Sequence, residues 1–353
     1  MHNKRQIAIE GLKLLESQQG RLRLDIAPYY PNLDEKVLED SWRRDQSLFE
    51  DWFPDAIDPY REYREFMKPI AIPMFDDPWM QAIKGNIKRL LGSRWDQLCD
   101  IPVANMSIPV LNASAVNFGH SSYGIAMNSR LSTQLTPVNC LMVMIEYKSR
   151  NCQMDKPPSK DIGIYRNNII EILRCTGPEL FDTISKAEPY ESAFFYWFGI
   201  RHALLQYLFI ILHEYSHIIN GHLQNKDVWL GHPLSSPDYS FFNNSQLMEQ
   251  EADATALRLI LDPENLANLP EPWNVPGGNP NLIANSIVLL FIWFSIIVGS
   301  DKEGYYKVPR SHPHPADRIR LVESIISEYP KYYSVEKFRG SVNNQMNFYI
   351  PKY

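Results

Sequence analysis

Residues 208–219 read LFIILHEYSHII, and this stretch decides how the rest of the chain is interpreted. His213 and His217 stand four positions apart, so on a helix both imidazoles leave the same face. Glu214 lies about 100° further round the helix, where its carboxylate can reach a water beside an ion held by the two histidines. Apolar residues on both sides predict that this helix is largely buried. The HExxH pattern therefore predicts two metal ligands and one general base on a single helix.

A second segment, EQEAD at 249–253, lies downstream in a run that continues a helical period. Glu249 and Asp253 are therefore one turn apart on one face. Glu249 is the predicted third metal ligand, and Asp253 is predicted to accept the second ring N–H of a ligand histidine. Glu251 is the alternative third ligand because it is adjacent, although a solvated surface charge is the simpler interpretation.

Other histidines near these motifs are further candidates for the same site. His222 does not have the spacing of the third ligand in HExxHxxGxxH sites, so it is interpreted as a helix-end residue that follows a glycine. In the proline-rich segment SHPHPADRI, His312 and Arg318 are candidates for stabilising an oxyanion. His314 is the alternative to His312. An ordinary proline-rich helix start is the non-functional alternative for the whole segment.

The bulk composition narrows the class of protein. The chain has 353 residues, of which 44% are hydrophobic, so a sizeable core is expected. A net charge of -6 without a Lys/Arg cluster argues against a nucleic-acid partner. The four cysteines form no CxxC pair, which predicts reduced thiols in a cytoplasmic protein. No apolar segment follows the basic start of the chain, so we expect no signal peptide.

Two apolar segments resemble membrane spans at first sight. Residues 193–212 are interrupted by Arg201, His202 and Gln206. The second segment, Ile283 to Val298, is shorter than the ~20 residues that a membrane span needs. A buried core helix is the predicted structure for it, and association with a membrane is the alternative.

The pattern along the chain predicts an α+β fold that is mainly helical with a small sheet. Residues 112–117 and 123–128 are predicted strands joined by a turn, and the proline-containing residues 102–110 suit edge strands. Residues 141–145 could form a strand or the core of a helix. The predicted helices are 7–17, 33–49, 79–91, 167–174, 192–222, 245–261, 282–298 and 315–328.

Three parts are predicted from this order. Residues 1–100 form a helical N-terminal region, residues 101–335 form the domain that carries both charged motifs, and residues 336–353 form a C-terminal tail.

These motifs resemble the gluzincin peptidases, and more narrowly the HtpX and CaaX-prenyl-protease type. Proteins of that type show an Asn-Ala, then HExxH, then ExxAD, then a late His-Pro and Arg-Ile. The matching residues here, in the same order, are Asn112-Ala113, His213 to His217, Glu249 to Asp253, His312-Pro313 and Arg318-Ile319. The resemblance covers roughly residues 105–325. The chain departs from that group because it lacks clear transmembrane helices and carries an unmatched segment at 152–195.

Two further groups of peptidases are similar in part. The ImmA/IrrE group has a comparable third-ligand helix followed by Leu-x-Pro, here Leu261-Asp262-Pro263. The phage-exclusion peptidase Lit group is of similar size. These resemblances imply a regulatory or phage-defence protease that acts on a particular protein.

The resemblance implies a zincin-like metallopeptidase core and zinc-dependent endopeptidase activity on a protein or peptide substrate. His213, His217 and Glu249 would hold Zn²⁺, which two imidazoles and a carboxylate suit well, and Glu214 would be the general base. A substrate could add as an extra strand beside residues 112–128. The alternatives are a zinc-containing protein-binding module without proteolysis and a membrane-associated quality-control protease. The oligomeric state stays open.

Overall fold

The fold is described here from a computed structural model. It describes residues 4–19, 78–106, 113–151, 160–175, 180–187, 193–224, 246–267, 280–299 and 313–349, with single positions between 39 and 60. The helices are α1 (Lys4–Gln19), α2 (Pro78–Leu91), α3 (Trp95–Leu98), α4 (Ser129–Asn151), α5 (Lys160–Arg174), α6 (Leu180–Ala187), α7 (Ala193–Ile219), α8 (Gln246–Leu261), α9 (Pro263–Ala267), α10 (Pro280–Gly299), α11 (Pro315–Ser327) and α12 (Val335–Tyr349). The strands are β1 (Val103–Met106), β2 (Ala113–Asn117) and β3 (Tyr123–Asn128). Over the described residues the fold is mainly helical with a small sheet, as predicted.

Most predicted elements are present. The predicted helices that begin at 7, 79, 192, 245, 282 and 315 correspond to α1, α2, α7, α8, α10 and α11, and the helix predicted at 167–174 is the end of α5. β2 and β3 confirm the two predicted strands, and β1 covers part of 102–110. The ambiguous residues 141–145 lie inside α4. The helix predicted at 33–49 falls almost entirely outside the described residues.

The chain divides into two compact units. The first comprises Met1–Arg23, Pro73–Leu131 and Leu204–Tyr353, and the second comprises Leu24–Ile72 and Ser132–Ala203. Neither unit is one continuous run of chain, whereas the sequence pattern predicted continuous parts.

In the first unit, α1 covers one face of the sheet. The strand order is β1-β3-β2, with β3 parallel to β1 and antiparallel to β2. Buried apolar side chains of α1, including Ala8 and Leu12, form one cluster with Met106, Val116 and other residues on this face. The burial of this cluster provides the hydrophobic stabilisation that holds α1 on the sheet.

β1 and β2 are the two edge strands of the sheet, as far as the described residues show. The N–H of Phe118 donates to the carbonyl of Ser122, so these two residues form a hydrogen-bonded pair. Such pairs alternate along an antiparallel ladder, so the backbone groups of Val116 point toward Gly124 on β3. By the same alternation, the backbone groups of Ala113 and Ala115 point away from β3.

α10 lies in the core of the first unit. Phe291 and Trp293 are fully buried, and α10 packs against α8, α11 and α12. This confirms the prediction of a buried core helix at 283–298. No helix among the described residues is long and apolar enough to cross a membrane.

α12 adds to this core, although the sequence pattern had assigned its residues to a C-terminal tail. Phe338, Val342 and Tyr349 are buried, and the ring of Tyr349 meets the edge of Trp293 with 4.9 Å between ring centroids.

In the second unit, α4 packs on the end of α5. The buried side chain of Gln134 donates to the carbonyls of Ile172 (2.8 Å) and Cys175 (2.9 Å), so it satisfies backbone groups at the C-terminal end of α5.

Candidate metal centre

Two helices of the first unit bring three predicted ligands together. The Nε2 atoms of His213 and His217, on α7, lie 3.1 Å apart. On α8, Glu249 places Oε2 3.3 Å from His213 Nε2 and Oε1 3.5 Å from His217 Nε2. All three side chains are buried. The structure thus brings the three predicted ligands together, and their role as metal ligands stays a prediction.

The spacing of these atoms fits a small divalent ion. Zinc–nitrogen and zinc–oxygen bonds of 2.0–2.2 Å in a tetrahedral site place neighbouring ligand atoms about 3.3–3.6 Å apart, and the observed separations are close to that range. Two imidazoles and a carboxylate are also a donor set that zinc accepts. The chemistry and the spacing of the donors therefore fit a zinc ion.

The charged groups around the three predicted ligands favour a positive charge between them. Burial lowers the pKa of His213, but the carboxylates of Asp253 and Glu249 outweigh burial and raise it to about 10. Glu249, which faces Nε2, is one of the groups that raise it, so its carboxylate contributes a negative potential at the cluster. The same potential favours a bound cation.

Asp253 supports His213 from the side of the ring that faces away from the cluster. Its Oδ1 lies 2.8 Å from His213 Nδ1, and the carboxylate is fully buried. This arrangement leaves Nε2 to face the other ligands, as the sequence pattern predicted.

Arg318, on α11, forms a two-pronged contact with the same carboxylate. Its Nε donates to Oδ2 of Asp253 at 2.7 Å and its Nη2 donates to Oδ1 at 2.6 Å. The guanidinium also lies over the ring of Phe291, 4.3 Å from the centroid. Burial raises the pKa of Asp253, but Arg318 and His213 lower it below its ordinary value. Arg318 thus contacts the carboxylate that supports His213. Its predicted role at an oxyanion stays a prediction.

Glu214 follows His213 on α7, where its charge helps to raise the pKa of His213, and it is held by the sheet. Its side chain is buried, and Oε2 accepts the N–H of Ala115 at 2.6 Å. Ala115 lies in β2, whose open edge therefore faces α7. A second tie between the two elements is Asn117, which donates to the carbonyl of Leu223 at 3.0 Å.

The chain reverses directly after α7. Gly221 has a φ of +73°, its N–H donates to the carbonyl of Ile218, and the N–H of His222 donates to the carbonyl of His217. These two bonds form a Schellman motif. The prediction that His222 is a helix-end residue after Gly221 is confirmed.

The reversal also folds the His222 ring back onto a ligand. Its Nδ1 lies 3.0 Å from Nδ1 of His217, and its Nε2 lies 3.1 Å from Oε2 of Glu251. Glu251, the predicted rival to Glu249, lies outside the ligand cluster and is half exposed.

Sequence reasoning missed these partners of His217 for a physical reason. A helical wheel places His222 about 140° from the ligand face, but α7 ends at Ile219 and the wheel no longer applies. The Gly-His pair at the helix end was the usable signal, because a left-handed glycine cap turns the next residue back toward the last turn. The Ala115 N–H carried no signal, since a backbone donor has no side-chain identity.

The remaining predicted residues lie at the start of α11 or before it. His314 is exposed and caps α11, with its Nδ1 accepting the N–H of Ala316 at 3.2 Å. His312 lies outside the described residues, so its predicted role at an oxyanion stays a prediction.

Comparison with known proteins leaves the family resemblance a prediction. The chain matches no protein-family model, and searches of curated proteins and of solved structures found no match either.

Proposed function

We propose that this chain is a zinc-dependent endopeptidase with a zincin-like core. The observation that supports this most strongly is the buried convergence of His213, His217 and Glu249, with the carboxylate of Glu214 beside it at the edge of a sheet. A closed structural site needs only ligands. Here an acid of the same helix stands next to the ligands as well, which is the arrangement that metal-assisted hydrolysis requires.

In the proposed reaction a water adds to the carbonyl carbon of a peptide bond, and the carbon–nitrogen bond then breaks. A bound zinc ion supplies a Lewis acid that polarises the carbonyl and acidifies the water. Glu214 accepts the proton of that water and delivers it to the leaving amine. Its hydrogen bond to Ala115 keeps the carboxylate on the side of α7 that faces the sheet.

The open edge of β2 is the proposed substrate-binding element. The backbone groups of Ala113 and the carbonyl of Ala115 point outward, whereas the N–H of Ala115 is bonded to Glu214, so an extended peptide can add as a further strand by pairing mainly with Ala113. Such a strand would run beside Glu214, because Glu214 is bonded to the same edge. We therefore propose an unfolded segment or exposed loop of a protein as the substrate, cut by a regulatory or defence protease in the cytoplasm. The described cysteines, Cys99, Cys140 and Cys175, form no disulfide within the described part of the chain, which is compatible with that compartment.

Metal analysis tests the ligand set. The wild-type protein, dialysed against zinc and then buffer, should retain about one equivalent. His213→Ala and Glu249→Ala should lose most of it, whereas Gln250→Ala, an exposed neighbour on α8, should keep it. Full retention by both ligand variants would rule out this site.

A second measurement tests catalysis with Glu214→Gln. This variant keeps the shape of the side chain and should keep its zinc, but it should cleave a library of quenched fluorescent peptides at least 10²-fold more slowly. Wild-type protein treated with a chelator gives the matching background. Cleavage by Glu214→Gln at the wild-type rate would exclude Glu214 as the base.

A second candidate function follows from the Ala115–Glu214 bond. Because Glu214 accepts the N–H of Ala115, the carboxylate has a structural role that does not require catalysis. A zinc-containing protein-binding module would keep Glu214 for that role. If the chain is such a module, Glu214→Gln should hold zinc and bind the partner as tightly as wild type does. Neither wild type nor the variant should cleave the partner.

A further inference from the structure

We infer that His222 and Glu251 position His217 for metal binding, as an outer pair that the ligand pattern does not contain. The inference rests on the metal site of the proposed function but is independent of peptide cleavage.

The first support is an unbroken line of polar contacts. Nδ1 of His217 meets Nδ1 of His222 at 3.0 Å, and Nε2 of His222 meets the Glu251 carboxylate at 3.1 Å. His222 is buried, with 4% of its side chain exposed, whereas 53% of the Glu251 side chain is exposed. The line therefore runs from the ligand cluster to the surface of α8.

The second support is that a single arrangement of protons satisfies every contact in the line. A neutral imidazole carries one N–H and one acceptor nitrogen. If His217 uses Nε2 as the ligand atom, its proton is on Nδ1 and is donated to Nδ1 of His222. The proton of His222 is then on Nε2 and is donated to Glu251. The carboxylate, which only accepts, thus selects the tautomer of both rings.

The third support is that the backbone holds the His222 ring in place. The Schellman motif bonds the N–H of His222 to the carbonyl of His217 itself, so the two residues are joined by backbone as well as side chain. Gly221 makes this reversal accessible because its φ of +73° is costly for residues with a Cβ.

The two ligand histidines are therefore supported unequally. His213 has a fully buried carboxylate that is itself held by Arg318, whereas His217 has a buried imidazole followed by an exposed carboxylate. Solvent weakens the outer contact of the second line. We expect His222 to matter more for zinc affinity than Glu251.

The test is the zinc affinity of the full chain, measured by competition with a chromophoric chelator at a fixed pH near neutral. His222→Phe keeps the ring but removes both nitrogens, and it should weaken zinc binding by about 10- to 100-fold. Glu251→Ala should weaken it less. Glu251→Gln should restore near wild-type affinity, because its amide oxygen still accepts from His222. Gln250→Ala is the matched control on the exposed side of α8 and should bind as wild type does.

A spectroscopic readout separates positioning from general loss of structure. With Co²⁺ in place of zinc, the visible absorption bands should shift in His222→Phe and stay unchanged in Gln250→Ala. Glu251→Ala changes an exposed side chain, so it remains informative even where His222→Phe folds poorly. The rescue by Glu251→Gln is an outcome that a merely structural role would not produce.

Failure of the inference and failure of the proposed function have different signatures. Wild-type zinc affinity in both His222→Phe and Glu251→Ala would overturn the positioning role and leave the peptidase proposal intact. The expected affinity pattern without any peptide cleavage would support positioning and count against the peptidase. A wild-type protein that binds no zinc would overturn both.

Discussion

Two arginines of α11 illustrate how position decides the energetic role of a residue. Arg318 forms a two-pronged contact with Asp253, and the carboxylate has no exposed surface. Arg320 pairs with Asp317 at 2.9 Å, but both side chains are well exposed. Solvent screens the second pair and scarcely reaches the first.

Replacing each arginine by glutamine should separate these roles. Arg318→Gln leaves the buried charge of Asp253 without its cation, so we expect a loss of about 3–5 kcal/mol in the free energy of unfolding of the metal-free protein. Arg320→Gln should change it by less than about 0.5 kcal/mol. Denaturant unfolding measures both. Equal effects of the two variants would contradict the buried role of Arg318.

His202 lies in the second unit, where its side chain is buried. Burial, together with the charge of Arg201, lowers the pKa of His202 to about 4. The unfolded chain takes up a proton near the ordinary histidine pKa, about 6.5. The stabilisation is therefore fully present above pH ~6.5 and is lost as the pH falls toward ~4.

We therefore expect acidification from pH 7 to pH 5 to cost the wild type about 2 kcal/mol more than it costs His202→Gln. Denaturant unfolding at the two pH values gives this difference. His314→Asn, which keeps a capping side chain at the exposed start of α11, should retain the wild-type pH dependence. Parallel pH dependences of wild type and His202→Gln would contradict the assignment.

At the scale of elements, the contact between α1 and the sheet depends on one glycine. A Cβ built at Gly11 would lie 2.2 Å from Cδ1 of Phe118, so the helix can approach the sheet only because this position has no side chain. Gly85, on α2, has nothing within 4 Å of a Cβ. A methyl group added at Gly11 would therefore clash with Phe118, whereas one added at Gly85 would meet open space.

Gly11→Ala should destabilise the protein by about 1–3 kcal/mol, because the added methyl forces Phe118 to move within a packed cluster. Gly85→Ala should stabilise α2 by about 0.5–1 kcal/mol, because alanine loses less backbone entropy in a helix. Thermal unfolding of both variants tests the pair. A stabilised Gly11→Ala protein would show that α1 packs less closely than described.

Sequence patterns predicted the long apolar helices and the strand pair, but they missed several other elements. α7 and α10 are long apolar runs, and β2 and β3 alternate around a turn, so local periodicity was sufficient. α3, α6, α9 and α12 were not predicted, and within α4 only residues 141–145 were considered, as a strand or the core of a helix. α12 owes its place to tertiary packing, with Phe338 and Tyr349 buried against the first unit's core. Packing of this kind leaves only a weak periodic signal.

At the scale of the whole molecule, the metal centre should couple ligand binding to stability. It joins α7, which ends at Ile219, to α8, which begins at Gln246. An ion that binds only the folded protein stabilises it by about 2.7 kcal/mol at a hundredfold excess over its Kd.

Zinc should therefore raise the unfolding temperature of the wild-type protein, and a chelator should reverse the rise. His213→Ala should show no such shift at the same zinc concentration, because one of the three ligands is missing. Calorimetry with and without zinc makes this comparison without any substrate. An equal shift in wild type and His213→Ala would locate the zinc effect elsewhere in the protein.

The local pattern of residues by itself determined the two motifs, the helices that carry them and the faces on which their side chains lie. It did so because helical geometry relates residues three and four positions apart without reference to the rest of the chain. His213 with His217, and Glu249 with Asp253, are such pairs.

Tertiary structure alone decided which groups meet between elements. Arg318 reaches Asp253 from another helix, Ala115 offers a backbone N–H to Glu214, and a left-handed glycine cap returns His222 to His217. None of these contacts follows from periodicity. Each depends on how helices and strands pack, where a helix ends, and which backbone donors remain free at the edge of a sheet.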